Sequence, residues 1–213
     1  MHYSIIIPIY NEKNNILKLI LKIQNYLKSI KFEILVIDDD SNDGTKELFK
    51  KIKLKKNVKF IVRKDKPRDL TQSLFLGISN SKYKNLIIMD GDLQHNPKYL
   101  PKICKIFSKK KIDLLICVRN FKNRSGLSIL RFFSSIFLIK FINLILGNKS
   151  SDPMSGFFVF QKKIFNKKKL YPYGFKILLS LIYSLNRNIK INEFQIKFNK
   201  RQNNRSKMNL KVL

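Results

Sequence analysis

Residues 1–40 read MHYSIIIPIYNEKNNILKLILKIQNYLKSIKFEILVIDDD, and the architecture builds outward from them. Residues 5–9 and 32–37 are short, nearly continuous apolar runs rich in Ile, Leu and Val. Such runs are strands of a parallel sheet covered on both faces. Between them Ile16, Ile20, Ile23 and Leu27 recur at helical spacing, with Asn11 expected as the N-cap. The alternation continues. Residues 58–62, 86–89 and 114–118 read as further strands. Residues 44–53, 70–80 and the Leu100, Ile103, Phe107 series after Pro97 read as helices. Strand–helix–strand alternation implies right-handed crossovers and an α/β fold with a Rossmann-like, doubly wound, mostly parallel sheet.

In such a sheet the residues beyond the strand ends face the ligand. They are Tyr10, Asn11 and Glu12 after the first strand, and Asp38, Asp39 and Asp40 after the second. Asp90, Gly91 and Asp92 follow the fourth, and Arg119 follows the fifth. Five of the 14 acids thus gather at two strand ends. In Asp90-Gly91-Asp92 two carboxylates in a turn can converge on one hard divalent cation, with Gln94 adding a neutral oxygen. Gly91 would let the backbone come close to a ligand. A polar turn with capping acids before Pro97 fits the same residues. Residues 38–45, DDDSNDGT, offer acceptors to ribose hydroxyls or a base edge, or caps for the helix near Asp43-Gly44. Four acids so close repel one another unless a ligand or donor compensates. His95 reads as a surface-turn residue. No G-x-x-x-x-G-K-[ST], G-x-G-x-x-G or H-E-x-x-H string is present.

Lys and Arg total 44 against 14 acids, a net charge of +30. Only eight of the 44 are Arg, which argues against an Arg-rich base-reading surface. The charge leaves three partner classes open: a nucleic acid, an anionic membrane surface or an anionic small molecule. Compositional drift in an A+T-rich genome fits it as well. At 213 residues and 44% apolar content, one domain with a real core is expected. Cys104 and Cys117 lack metal-ligand spacing and read as core residues. The N-terminus enters a strand without a signal-peptide pattern. Residues 127–146 are a long apolar stretch, but Arg131, Lys140 and Asn143 interrupt it, so it reads as non-spanning. Beyond it, residues 155–160 and 189–198 read as strands. Phe175, Leu178, Leu179 and Ile182 mark a helix, and residues 199–213 a basic, polar tail.

Taken in order, these strings resemble family 2 glycosyltransferases, most closely the polyprenol-phosphate hexosyltransferases of the dolichol-phosphate mannosyltransferase group. The resemblance is carried by residues 7–12, 37–45 and 89–97, by Arg68-Asp69-Leu70, by Arg119 and Arg131, by residues 151–158, and by Arg201 with Ser206-Lys207. It implies a GT-A type nucleotide-sugar fold over residues 1–213 as one domain. A nucleotide-sugar half would cover about 1–118 and an acceptor and membrane-interface half about 119–213, with no transmembrane domain. By the same resemblance Pro8, Tyr10, Glu12, Ile37 and Asp39 hold the nucleoside, and Gly91 lies against the nucleotide sugar. Asp90, Asp92 and Gln94 would hold Mg or Mn. Arg119, Arg131, Arg201 and Lys207 would grip phosphates of donor and acceptor. The implied catalytic set is Asp90, Asp92, Arg119 and Arg131, and the implied acceptor contacts are Arg131, Asp152 and Ser155. The implied product is a β-linked polyprenyl phosphate sugar formed with inversion, with mannose from GDP-mannose as the leading donor and UDP-glucose as an alternative. Two departures stand out: Asn204-Arg205 where the family usually has Gly-Glu, and Gly91 where Ala is commoner. Members often continue into transmembrane helices, so anchoring here is expected to be peripheral, on a cytosolic membrane face, or through a separate membrane subunit.

A phosphate acceptor is already an anion at neutral pH and needs no general base, only charge neutralisation and orientation. A sugar-hydroxyl acceptor would need a carboxylate base, for which Asp152 is the candidate. Residues 127–146, with Phe132, Phe133, Phe137 and Phe141, read as an interfacial helix or helix pair for the acceptor's lipid, or else as a core helix. A basic nucleic-acid-binding module is the non-enzyme alternative. Against it, the acids cluster where a phosphate backbone would have to approach.

Overall fold

Ile5, Ile6 and Ile7 have no exposed surface, because successive side chains of their strand enter different cores on opposite faces of one sheet. The computed structural model describes residues 1–109, 111–119, 149–174, 176–186 and 188–199. Its elements are β1 (His2–Ile9), α1 (Lys13–Tyr26), β2 (Lys31–Asp38), α2 (Thr45–Lys51), β3 (Val58–Val62), α3 (Leu70–Ser79) and β4 (Asn85–Ile88). There follow α4 (Leu100–Lys109), β5 (Leu114–Arg119), β6 (Phe158–Gln161), α5 (Ile177–Ser184) and β7 (Ile191–Ile196).

The strands form one sheet in the order β3-β2-β1-β4-β6-β5-β7. All neighbours pair in parallel except β6, which runs antiparallel to both β4 and β5. The mostly parallel, doubly wound sheet read from the sequence is therefore present. Ile5 and Ile7 pack with Ile16 and Leu19 of α1 and Ile103 and Phe107 of α4. Ile6 packs with Leu74 and Phe75 of α3 and Leu178 and Ile182 of α5. Each such side chain contributes about 1.5–3 kcal/mol on burial. An exposed ion pair contributes about 0–1 kcal/mol, so the core, not the lysine coat, holds the sheet.

Several local readings change. Asn11 does not cap α1: its backbone is left-handed (φ 55°), and Glu12 occupies the cap position. Asn11 instead accepts from the Asn42 amide at 2.9 Å and donates its own amide to Ser41 Oγ at 2.8 Å. It ties the β1 and β2 ends together. The strand expected over 155–160 begins only at Phe158, because the Ser155 hydroxyl binds the backbone of Cys117 and Phe157 and turns the chain there. Cys104 and Cys117 are free and buried, and burial pushes the Cys104 thiol up to about 12. Among the described residues no helix is long and apolar enough to cross a membrane. Residues 127–146 lie outside the described residues.

Candidate active site

The carboxyl ends of β1, β2, β4 and β5, with residues 154–156 and the start of α5, surround a cleft of about 500 Å³. Its first wall carries Pro8, Tyr10, Glu12, Asp39 and Arg68. The Arg68 guanidinium lies over the Tyr10 ring, 4.8 Å from its centroid. Buried Glu12 accepts from Asn15 Nδ2 at 2.7 Å. Asp39 is buried beside Arg63, which donates through Nε at 2.7 Å and holds a second nitrogen 2.6 Å away. Burial raises the Asp39 pKa, against the pull of Arg63. The other acids of the cluster are compensated from within. Asp38 accepts from Ser41, and Asp40 pairs with Lys46 at 2.9 Å and Lys66 at 2.6 Å. Hydrogen bonds from those two lysines hold the Asp40 carboxyl well below the usual carboxylate range. Asp43 accepts from the Lys13 and Thr45 amides at 3.0 Å each. Their mutual repulsion thus needs no ligand to offset it.

The floor is the loop after β4, with Asp90, Gly91, Asp92 and Gln94 all facing the cleft. The loop is held from below. His95 is buried, not in a surface turn, and its Nδ1 accepts from the Asp90 amide at 3.3 Å. Burial pushes its pKa down to about 4, so the ring is neutral and its 3.6 Å approach to Asp90 is not an ion pair at pH 7. Asn199 grips the loop from the side: its Nδ2 donates to the Leu93 carbonyl at 3.2 Å and its amide to the Gln94 carbonyl at 3.0 Å. A Cβ on Gly91 would meet Ile9 Cγ2 at 2.6 Å, so this glycine admits a core side chain as well as lining the cleft. A Cβ on Gly156 would fall 2.8 Å from Asp90 Oδ1. The missing side chain there keeps the carboxylate clear. Asp90, Asp92 and Gln94 offer only oxygen donors, the set a hard divalent cation takes, and His95 directs its acceptor nitrogen elsewhere. Among the described residues no three His, Cys, Asp or Glu side chains gather to hold a metal ion, so a cation at this loop would draw on two carboxylates and an amide.

The far wall is built on Arg119. Its Nε and Nη2 donate to the two oxygens of fully buried Asp152 at 2.7 and 2.8 Å, and its amide donates to the same carboxylate. A bidentate pair of this kind fixes the guanidinium in direction as well as in charge. Asp152 is steadied in turn. Its amide donates to Ser150 Oγ, and Glu193 of β7 accepts from both Ser150 and Ser151. Lys176 lines the cleft beside this wall.

A profile described as Glycosyl transferase family 2 matches residues 4–168. The chain belongs to this family. This family 2 chain is 33% identical over 187 residues to dolichol-phosphate mannosyltransferase of Pyrococcus furiosus, a match covering 85% of this chain and 52% of that protein. It is 31% identical over 231 residues to dolichol-phosphate mannosyltransferase of Saccharomyces cerevisiae, covering 100% of this chain and 83% of that one. The chain therefore spans about half the length of the Pyrococcus relative. Among solved structures it is similar to glucosyl-3-phosphoglycerate synthase of Mycobacterium tuberculosis in complex with Mn2+, uridine-diphosphate and glucosyl-3-phosphoglycerate. The TM-score is 0.74 at 14% identity, over 96% of this chain and 73% of that one. At that identity the likeness is one of fold, of the GT-A type.

Of the family 2 residues expected in the site, the structure brings together Pro8, Tyr10, Glu12, Asp39, Asp90, Gly91, Asp92, Gln94, Arg119 and Ser155 around one cleft. Ile37 is elsewhere: its side chain is fully buried in the core against α3. Asp152 lies behind Arg119 rather than on the surface of the cleft, and the Ser155 hydroxyl is spent on backbone carbonyls. Arg131, Arg201 and Lys207 lie outside the described residues. Sequence reasoning missed Arg63, Lys176 and Glu193. Arg63 had a signal, being one of only eight arginines and the residue immediately after β3, a strand end left uninspected. Lys176 had none in so lysine-rich a chain.

Proposed function

We propose that this chain is an inverting hexosyltransferase that moves mannose from GDP-mannose onto a polyprenyl or dolichyl phosphate. The observation that carries the acceptor class is the Arg119–Asp152 pair. A hydroxyl acceptor needs a free carboxylate to take its proton, and Asp152 is buried and bound at both oxygens by Arg119. A phosphate acceptor needs no base. Its oxygen attacks the anomeric carbon with its own lone pair. The bond from that carbon to the diphosphate breaks, and its electrons leave with the nucleoside diphosphate. No proton has to move, and attack opposite the leaving group inverts the centre. The names of the Pyrococcus and Saccharomyces relatives support the same donor and acceptor.

The residues divide the work. Tyr10, Glu12, Asp39 and Arg68 form the nucleoside wall. Asp90, Asp92 and Gln94 would hold a divalent cation, Mg or Mn, which when bound supplies neutralising charge to the diphosphate. The neutral His95, accepting from the Asp90 amide, holds the loop backbone, and the side-chain-free Gly156 leaves the Asp90 carboxylate uncovered. Arg119, aimed by Asp152, faces the anions from the far wall. The chain acts peripherally at the cytosolic face of a membrane, with a separate anchoring subunit as a further partner.

The test is transfer from labelled GDP-mannose, and in parallel UDP-glucose, to dolichyl phosphate and to a free sugar acceptor. A mannosyl lipid phosphate with β linkage is the expected product. Transfer to the sugar hydroxyl alone would overturn the acceptor class, and exclusive use of UDP-glucose the donor. Asp92→Ala should abolish turnover and weaken Mn binding measured by titration of the metal alone.

A further inference from the structure

Three cations of the described residues line the cleft, and two of them have a carboxylate. Arg68 lies 3.9 Å from Asp40 Oδ2, and Arg119 is bound to Asp152 through Nε at 2.7 Å. No carboxylate of the described residues lies within ion-pair distance of Lys176. Its Nζ reaches Met154 Sδ at 2.9 Å, and a thioether is a weak acceptor that neutralises no charge. Burial lowers its pKa, and Arg119, a like charge, lowers it further. A half-buried ammonium facing a guanidinium is costly to keep, and an arriving anion removes that cost.

The charge balance says which cation matters. Among the described residues of the far wall Arg119 and Asp152 sum to zero, so without Lys176 they give direction but no net positive charge to a phosphate. Lys176 supplies it. Its place sets it with the far wall, since its Nζ rests on Met154, two residues from Asp152, and not on the Asp90–Gln94 loop. We infer that Lys176 and Arg119 form the seat of the acceptor's anionic head, with Lys176 the residue that makes the site prefer a phosphate to a hydroxyl. The inference rests on the proposed lipid-phosphate acceptor.

The experiment compares wild type with Lys176→Met and Lys176→Arg, varying lipid phosphate and nucleotide sugar separately. One lost charge-assisted contact corresponds to a rise of about tenfold or more in the lipid-phosphate KM. The donor KM should stay unchanged, and Lys176→Arg should recover most of the loss. A rise in the donor KM alone, or an unchanged acceptor KM, overturns the assignment. Binding of a short-chain prenyl phosphate and of the matching prenol, followed by calorimetry without turnover, separates the two claims. Wild type should prefer the phosphate and Lys176→Met should lose that preference. If wild type shows this but never glycosylates a lipid phosphate, the proposed reaction fails while the anion seat stands. Equal phosphate preference in both proteins rejects the seat.

Discussion

Arg63 and Asp39 meet in a dry place, and only one of them touches the cleft. Removing the guanidinium leaves an acid that must protonate or remain charged without a partner. Arg63→Met should therefore cost about 3–5 kcal/mol in urea unfolding, the usual penalty for breaking a buried pair from one side. A loss below about 1 kcal/mol would mean that water reaches Asp39 freely. The pair also marks a limit of reading from sequence. Asp39 was legible because it stands at a strand end among other acids. Its partner lies 24 positions later, and distance along a chain carries no sign of contact. The same holds for Arg119 and Asp152, both visible as candidates, though nothing in the sequence showed that they pair. Asp152 is fully buried behind Arg119, binds it through both oxygens, and does not line the cleft. Ile37 misled in another way. It stands beside the acids in sequence, and strand alternation turns it into the core.

At the scale of elements, the parallel half of the sheet was readable because each strand there is a dense apolar run between helical periods. Beyond β4 the strands over 114–118, 155–160 and 189–198 were readable as segments, but their order and direction were not. β6 is short, and its direction depends on pairings with β4 and β5 that no local pattern encodes. Asp113 shows how that half is joined. Its amide donates to the Lys190 carbonyl before β7 at 3.0 Å, and its carbonyl accepts from Gln161 of β6 at 3.0 Å. Its carboxylate accepts from the Lys190 amide at 3.1 Å and pairs with Lys163 at 3.0 Å. Burial alone would raise the Asp113 pKa, but these donors outweigh it and the pKa is lowered. A depressed carboxylate contributes stability above its unfolded value of 3.8, lost as pH falls through the lower folded value. Asp113→Asn should therefore lower stability by about 0.5–1.5 kcal/mol at neutral pH. The difference from wild type should vanish in strong acid. A difference that persists there would assign the effect to packing and not to charge.

For the whole molecule, a net charge of +30 is spread over a chain whose acids are largely tied up by internal donors. The uncompensated charge is mostly lysine, which acts as a point charge with little geometric preference. Cosedimentation with anionic vesicles should be strong at low salt and fall steeply as salt is raised, while binding to neutral vesicles changes little. Salt-independent binding would point to apolar insertion as the main attachment. The lysine excess was plain in the sequence, yet which lysine faces the cleft was not, because composition is blind to position.

The antiparallel β6 sits in the middle of the sheet, between β4 and β5, but both neighbours are made before it. During synthesis at roughly 5–20 residues per second, the edge of β4 therefore waits ~4–15 s for the strand that will cover it. Throughout that interval a nascent chain presents an open apolar edge, a template for another chain. Shielding the β4 edge until residues 158–161 emerge should therefore raise the yield of folded chain without any change in its final stability.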